Sequence, residues 1–342
     1  MHRSYVALVA LAMFGMVLVG TFTSNFVEVD SEPLHKHVTE NRSTDSLRIL
    51  LVGDTGGLPI YPYVTYAQKK VAKAMTNVAI EKATSFEDIY DTDALNVPWY
   101  LIAGNHDHFG NVSAQIAYTK YSRKWNFPDL YYKVSFQLKN TTVDVLMLDT
   151  IVLCGNTADI QNGGFFDMLW NRSHDPEGPT DVAQAEKQWK WIVENLNTSR
   201  ADYLFVAGHY PIHSVSSHGP TQCLQERLDP MLVRFNVSAY FAGHDHILQH
   251  VVYPGRGNHQ IHYVLSGAAS RSDRSKKHLY TVKAENLKFR YPTSWWNPLS
   301  QLGFSNGGFV LMDITPQQTQ LIFYNGKGDM KYRSSIDPRL VS

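Results

Sequence analysis

The chain has 342 residues, of which 44% are hydrophobic and 18% charged, so it can bury a sizeable core and is not disordered. Lys plus Arg and Asp plus Glu number 31 each, and this zero net charge argues against a nucleic-acid-binding protein. Fifteen histidines against two cysteines favour imidazole chemistry over a disulfide-rich scaffold or a cysteine zinc site.

The N-terminal segment is typical of a secretory signal peptide. After a basic start, an apolar run extends from Val6 to Phe22, which predicts a signal peptide over 1–23 and a polar leader over 24–46. The small residues around Gly20 form a poor cleavage site for signal peptidase. The apolar run also nearly reaches the length of a bilayer span. An uncleaved membrane anchor is therefore the alternative.

Glycosylation signals and the cysteines agree with the secretory route. Six Asn-x-Ser/Thr sequences occur, at Asn41, Asn111, Asn140, Asn171, Asn197 and Asn236. In an oxidising compartment Cys154 and Cys223 can pair, and two buried free thiols are the alternative. We expect a secreted or lysosomal glycoprotein.

From residue 47 onward, strands alternate with helices. Apolar runs predict strands at 47–52, 97–103, 131–138, 143–148, 203–207, 238–242, 248–253, 260–265, 308–314 and 320–324. Helices are predicted at 66–82, at 182–196 after a cap at Thr180 or Asp181, and at 223–235, with an exposed loop over 155–180. This order predicts one α/β domain over 47–342, with parallel or mixed sheets flanked by helices.

Four predicted strands end in a glycine that is followed at once by metal-competent side chains. These side chains are Asp54, then Asn105 and His106, then His209, and finally His244 and His246. In open α/β sheets ligands bind outside the carboxyl ends of the strands, and glycine lets the backbone turn sharply there. A single histidine is more often structural, but four repeats of one placement favour a shared site. Oxygen and imidazole ligands without thiolate suit iron, zinc or manganese.

The motifs at these strand ends resemble those of the metallophosphoesterase superfamily. The longer matches, VPWYLIAGNHDHFGNVSAQIAY, KWNFPDLYY, VAGHYPIHSVSSHGPTQCL and AYFAGHDHILQ, are similar to the animal-type, single-domain purple acid phosphatases, the tartrate-resistant acid phosphatases. The resemblance runs from about Leu47 to the end of the chain. It implies two packed mixed β-sheets with helices outside, the calcineurin-like metallophosphoesterase fold, and hydrolysis of phosphate monoesters at acidic pH.

The resemblance also implies a role for each site residue. Asp54 and His246 would bind Fe(III), and Asn105, His209 and His244 would bind Fe(II) or Zn(II). His106 would contact phosphate and protonate the leaving alkoxide, His218 would lie at the substrate mouth, and Cys154 would pair with Cys223. Chemical reasoning adds Asp107 and Asp245 as groups that orient neighbouring histidines or backbone, with solvated loop acids as the alternative. The expected partners are small phosphate monoesters and phosphoproteins, without nucleic acid, for a monomeric protein.

One family motif is absent. The family has Gly-Asp-Asn-x-Tyr between the first Asp and the Asn-His pair, and its Asp bridges the metals while its Tyr binds Fe(III). Here a strand and its loop are missing between residues 79 and 85, which would leave five protein ligands, unpaired backbone groups and a cavity. Three interpretations stay open: a skipped exon or faulty gene model of an active enzyme, an isoform with weak or no activity, and a secreted iron-binding pseudo-phosphatase.

Other functions are rivals to this interpretation. A phosphodiesterase or nucleotidase of the same superfamily is disfavoured by the close match over Val206–Leu224. A non-catalytic glycoprotein would bind iron without turnover. A carbohydrate-binding module would not need four strand ends that carry metal-competent residues.

Overall fold

The computed structural model describes residues 5–11, 37–56, 65–80, 93, 95–157, 175–293, 299–300 and 303–339. Within these ranges the chain forms two mixed β-sheets that enclose a common apolar core. The predicted exposed loop is described only at 155–157 and 175–180, and the predicted gap near 79–85 lies mostly outside the described residues.

The first sheet has seven strands in the order β15-β14-β13-β3-β1-β4-β5. Its strands are β1 (Tyr5–Leu11), β3 (Leu47–Gly53), β4 (Trp99–Ala103), β5 (Trp125–Asn126), β13 (Gly308–Ile314), β14 (Thr319–Asn325) and β15 (Met330–Ile336). β1 pairs in parallel with both β3 and β4, so the carboxyl ends of β3 and β4 lie at the same edge.

The second sheet has eight strands in the order β12-β10-β11-β9-β8-β7-β6-β2. Its strands are β2 (His37–Asn41), β6 (Tyr132–Gln137), β7 (Thr142–Met147), β8 (Tyr203–Ala207), β9 (Ala239–Ala242), β10 (Leu248–Pro254), β11 (Gln260–Ser266) and β12 (Leu287–Tyr291). β7, β8, β9 and β11 run parallel, which brings their carboxyl ends together.

The helices connect and cover the strands. They are α1 (Tyr66–Ile80), α2 (Asn105–Phe109), α3 (Val112–Tyr118), α4 (Thr150–Cys154), α5 (Val182–Thr198) and α6 (Gln222–Arg234). The side chain of Asp181 caps α5 by accepting the Gln184 N–H at 3.0 Å, as the sequence predicted. Trp189 and Ile192 of α5 pack into the core, whereas Val182 is 63% exposed and does not.

The two sheets meet at the ends of β3 and β11. The Ser266 hydroxyl donates to the Leu51 carbonyl at 2.7 Å across the interface. A Cβ on Gly53 would lie 2.7 Å from the Ser266 carbonyl oxygen, so only glycine allows this approach. The carboxyl ends of strands from both sheets therefore converge, as the strand-end motifs predicted.

The N-terminal part of the chain contributes two strands that the sequence did not predict. Residues 37–41 of the predicted leader form β2, which pairs in parallel with β6 at the edge of the second sheet. The expected unpaired gap beside β3 is occupied, because β1 supplies backbone partners to β3 and β4. β1 belongs to the segment predicted as a signal peptide, and the rest of that segment lies outside the described residues.

Candidate metal centre

Asp54 and His246 form one half of the candidate site. Asp54 directly follows β3 with φ 55°, and its Oδ2 accepts the backbone N–H of His244 at 2.8 Å. The Oδ1 of Asp54 lies 3.9 Å from Nε2 of His246. His244 also has a positive φ, 68°, so both loops adopt a backbone conformation that is uncommon for these residues. The turns bring a carboxylate and an imidazole from different sheets to one place.

Glycines allow the backbone to approach the Asp54 carboxylate. A Cβ on Gly243 would lie 2.8 Å from Oδ2 of Asp54, and a Cβ on Gly267 would lie 2.6 Å from the same oxygen. Both distances are shorter than a side chain tolerates without movement of its neighbours. These glycines therefore permit the enclosure of Asp54, which is only 4% exposed.

Asn105 and His209 form the other half of the site. Asn105 opens α2 directly after β4, and its Oδ1 lies 2.9 Å from Nε2 of His209. The amide nitrogen of Asn105 donates to the Thr157 hydroxyl at 3.2 Å, which orients the carbonyl oxygen toward His209. The rings of His209 and His244 are 5.1 Å apart between centroids. His244 is therefore positioned between the Asn105 half and the Asp54 half.

Asp107 and Asp245 hold backbone near these residues. Asp107 accepts the Gly104 N–H at 2.8 Å and the Gln115 side-chain amide at 2.9 Å. Asp245 accepts the Ser214 hydroxyl and the backbone N–H of His218 at 3.0 Å. Both carboxylates are at most 1% exposed, so they are structural acceptors here and not solvated loop acids.

The two histidines predicted to contact substrate lie beside the predicted metal ligands in space. His218 is held through its backbone by Asp245, and its ring lies 4.2 Å from that of His244 and 6.2 Å from that of His246. His106 follows Asn105 on α2 and interacts electrostatically with His218. The structure thus brings all seven predicted metal and substrate residues to one edge of the two sheets.

Burial controls the protonation of the site residues. Burial raises the pKa of Asp54 to about 8, against the lowering effect of its hydrogen bond from His244. Burial also lowers the pKa of His209 to about 3, assisted by the charges of neighbouring histidines, and lowers the pKa of His244 and His246 well below the ordinary value. Neutral imidazoles are the form that binds metals, and a buried carboxylate needs a nearby cation to ionise.

The donor set fits bound cations. Buried Nδ1 atoms of His209, His218 and His246 have no hydrogen-bond partner among the described residues. Buried polar atoms are nearly always satisfied, so these three imidazole nitrogens are suited to bind a cation. The Asp54 half offers two protein donors. Within the described ranges, no group of three His, Cys, Asp or Glu side chains is arranged to hold one ion. The Asn105 half, with His209 and His244 beside it, has the more complete set.

Sequence reasoning missed two groups near the site. His108 Nε2 lies 2.6 Å from Oδ2 of Asp149; burial lowers the His108 pKa, but the Asp149 carboxylate outweighs burial and the net shift is upward. Asp149 in turn caps α4, so this pair connects α2 to α4. The second group is Arg271, which interacts with Asp54 and His106. The second histidine of the Asn-His-Asp-His run was a signal for the first group, whereas nothing in the sequence pattern marks Arg271.

The disulfide that the resemblance implied is present. Cys154 at the end of α4 is bonded to Cys223 in α6, with 5.8 Å between Cα atoms. The sequons differ in accessibility: Asn41, Asn111, Asn140 and Asn197 are exposed, and Asn171 lies outside the described residues. Asn236 is partly buried, and its Oδ1 is shielded from solvent.

Comparisons of the sequence identify a family. A model described as calcineurin-like phosphoesterase matches residues 47–248. Mouse tartrate-resistant acid phosphatase type 5 is 36% identical over 335 residues, covering 90% of this chain and 94% of the mouse protein. Purple acid phosphatase 7 of Arabidopsis thaliana is 29% identical over 264 residues, covering 75% of this chain and 69% of the plant protein.

Comparisons of the structure agree on the fold. GAP50, described as the anchor in the inner membrane complex of Plasmodium, superposes with a TM-score of 0.65 at 19% identity, covering 86% of this chain and 90% of that one. Purple acid phosphatase PPD1 from yellow lupin seeds gives a TM-score of 0.58 at 13% identity, covering 86% of this chain and 54% of that one. At these identities the likeness shows the fold alone.

Proposed function

The chain belongs to the calcineurin-like phosphoesterase family and is similar to tartrate-resistant acid phosphatase type 5, and on this basis we propose that it hydrolyses phosphate monoesters at acidic pH. One observation carries the proposal: Asp54 with His246, and Asn105 with His209, converge from the two sheets with orphaned imidazole nitrogens around them. A purely structural cluster of buried histidines would satisfy these nitrogens internally.

The family implies a binuclear metal centre, typically with iron. We assign Asp54 and His246 to Fe(III), and Asn105, His209 and His244 to a divalent iron or zinc ion. When bound, such ions supply hydroxide from water at acidic pH and neutralise charge on the phosphoryl oxygens. The chain supplies neutral imidazoles, because burial keeps His209 and His244 unprotonated. Asp107 and Asp245 hold the neighbouring backbone by accepting the N–H groups of Gly104 and His218.

His106 is assigned to the proton that the leaving alkoxide needs. It is partly buried on α2 beside the Asn105 half of the site. Burial, and then the charges of Arg271 and His218, lower its pKa to about 3. A bound phosphate dianion places negative charge beside the ring and raises the His106 pKa, so that the imidazolium forms when substrate is present.

The role of His106 is tested with leaving groups of different basicity. An alkoxide needs a proton as it departs and a nitrophenolate does not, so His106→Ala should lower kcat for an alkyl phosphate at least tenfold more than for p-nitrophenyl phosphate. His108→Ala, at the partly buried neighbour paired with Asp149, is the matched control. Equal losses on both substrates would assign the proton to another group.

A second candidate function has its own observation in support. Among the described residues the Asp54 half offers two protein donors, and the sequence has no Gly-Asp-Asn-x-Tyr run. A secreted iron-binding pseudo-phosphatase would fit such a site. It predicts bound metal without turnover of any monoester. A phosphodiesterase or nucleotidase would instead turn over bis(p-nitrophenyl) phosphate faster than p-nitrophenyl phosphate.

We place the protein in the secretory route, as a secreted or lysosomal glycoprotein and a monomer. The disulfide between Cys154 and Cys223 supports this, because disulfides persist in oxidising compartments. Among the helices that the structure describes, none has the length and apolarity to cross a bilayer. Mass measurement before and after glycosidase treatment, on protein from a eukaryotic host, tests the route. An unmodified mass would contradict it.

A further inference from the structure

The loop that follows β11 brings a cationic side chain to the edge of the candidate site. The backbone N–H of Ala269 donates to the carbonyl of Gly53 at 3.4 Å, and that of Asp273 donates to the carbonyl of His246 at 2.8 Å. In the sequence, Arg271 lies midway between Ala269 and Asp273. Its backbone is therefore tied on one side to the strand end that precedes Asp54, and on the other side to His246, both of which are predicted metal ligands.

Side chains hold both neighbours of this arginine. The Thr65 hydroxyl donates to the Ser270 carbonyl at 2.5 Å, and the Ser272 hydroxyl lies 2.9 Å from the Ser305 hydroxyl. Ser270 and Ser272 are each 1% exposed. Because the residues on either side are buried and hydrogen-bonded, the backbone at position 271 has a fixed place beside the site.

From its position in this loop, the positive charge of Arg271 interacts electrostatically with residues of the candidate site. The side chain is partly buried and its Nε is shielded from solvent. Burial lowers the pKa of Arg271 while the Asp54 carboxylate raises it, and the guanidinium lowers the pKa of His106 and His246 after the larger effect of burial. The positive charge thus lies within electrostatic range of both the carboxylate and the two imidazoles.

We propose that Arg271 binds the phosphoryl group of the substrate, with its guanidinium donating hydrogen bonds to phosphate oxygens beside Asp54 and His106. A guanidinium is planar, stays charged across the acidic and neutral range, and matches phosphate oxygens with two parallel donors. The anchored loop lowers the entropic cost of ordering this side chain when the anion binds. The ligand of this interaction is the phosphate of the proposed function, so the inference rests on that function.

A different role for Arg271 makes a different prediction. If the guanidinium serves only as the counter-ion of Asp54, its removal destabilises the fold and leaves phosphate affinity unchanged. Arg274, three residues along the same loop, lines a polar groove with Tyr291 and Lys327 and provides a matched control. A comparison of the two arginines therefore separates local charge from phosphate recognition.

The test is the affinity for inorganic phosphate, measured by isothermal titration calorimetry at pH 5 on the full chain as isolated. Metal content and thermal midpoint are recorded for each variant. Arg271→Gln should weaken phosphate binding about tenfold or more, Arg271→Lys should weaken it less because the charge remains, and Arg274→Gln should leave it unchanged.

The outcomes separate the inference from the proposed function. Folded Arg271→Gln with wild-type affinity overturns the inference, as does a wild-type chain that binds no phosphate. If Arg271→Gln does not fold, Arg271→Lys decides, and an affinity within twofold of the wild type overturns the inference. A wild-type chain that binds phosphate through Arg271 but does not hydrolyse p-nitrophenyl phosphate supports the inference and contradicts the proposed function.

Discussion

At the scale of single residues, the ring of His209 is tightly packed against Gly104 and Asn105. Its Nε2 faces the Asn105 oxygen at 2.9 Å, and a Cβ on Gly104 would lie 2.9 Å from Cε1 and Nδ1 of the same ring. His209 itself is fully buried. The imidazole therefore has no room to move away from Gly104 without loss of its alignment with Asn105.

Substitution of Gly104 by Ala should reduce activity more than stability. The methyl group would force the His209 ring to shift, and a misplacement of about 1 Å costs roughly a hundredfold in rate. We expect kcat for p-nitrophenyl phosphate and the bound metal content to fall together. Gly110→Ala, whose Cβ would meet only the Asp107 carbonyl at 3.4 Å, is the control. Unchanged kinetics in Gly104→Ala would show that the ring adapts.

Much of the site could be predicted from the order of the residues. When a strand ends in a glycine and a metal-competent side chain follows, that side chain lies at the carboxyl edge of the sheet. The partners of those side chains could not be predicted. Asp107 accepts from Gly104 and Gln115, and Thr157 orients Asn105, through contacts set by the packing of separate elements. Arg271 was missed because its loop reaches the site only after β11 has paired with β9 and β10.

At the scale of elements, the most informative strand is β1. It lies between β3 and β4, with six register pairs to one and five to the other. The strand patterns after residue 47 predicted most of the other strands, but a segment that is apolar and N-terminal has the same pattern whether it is a signal or a buried strand. The edge strands β2, β12 and β15 were missed because mixed or polar composition hides their alternation.

Removal of the N-terminal segment should lower stability. A chain that begins at residue 24 leaves the facing edges of β3 and β4 without backbone partners, and each unpaired buried group costs about 1–3 kcal/mol. We expect a lower urea midpoint than for the full chain. Val9→Pro in the full chain, which places a proline in a strand paired on both sides, should have an effect in the same direction.

An equal urea midpoint for the full and shortened chains would contradict the role of β1 as a structural strand. Residues 1–23 would then be interpreted as a signal peptide that is removed. N-terminal sequencing of protein secreted from a eukaryotic host gives an independent answer, because a cleaved signal and an inserted strand exclude each other in one molecule.

At the scale of the whole molecule, the balance of buried histidines sets the response to acid. His250 of β10 and His262 of β11 are buried, with 2.9 Å between Nε2 and Nδ1, and the Nδ1 of His250 lies 3.1 Å from the hydroxyl of Tyr332. Burial, and then the charges of His262 and Lys288, lower the pKa of His250 to about 3. Burial, and then His259, lower the pKa of His262 to about 4.

This pair should make the fold less stable in the acidic range where the enzyme is proposed to work. The folded-state pKa values lie below the unfolded value near 6.5, so the contribution is complete above pH 6.5 and is lost as the pH falls toward 4. At pH 5 one such histidine lowers the free energy of unfolding by about 2 kcal/mol. His262→Asn removes one of the groups that take up a proton on unfolding in acid, so the free energy of unfolding should depend less steeply on pH.

Urea unfolding of wild type and His262→Asn at pH 7, 6 and 5 measures this dependence. The control is His278→Asn, at a partly buried position outside this pair where Nδ1 lies 2.6 Å from the Ser216 carbonyl. Parallel curves for wild type and His262→Asn would assign the acid sensitivity to other groups.

The most direct test of the central claim is the rate of p-nitrophenyl phosphate hydrolysis by the full chain between pH 4 and 7, with the bound metal quantified in the same sample. The account predicts turnover that is lost on chelation and in His209→Ala, and that returns to wild-type chain when iron is restored. A folded chain that carries metal and still hydrolyses nothing would contradict it, and would identify the protein as a phosphatase fold that no longer turns over phosphate.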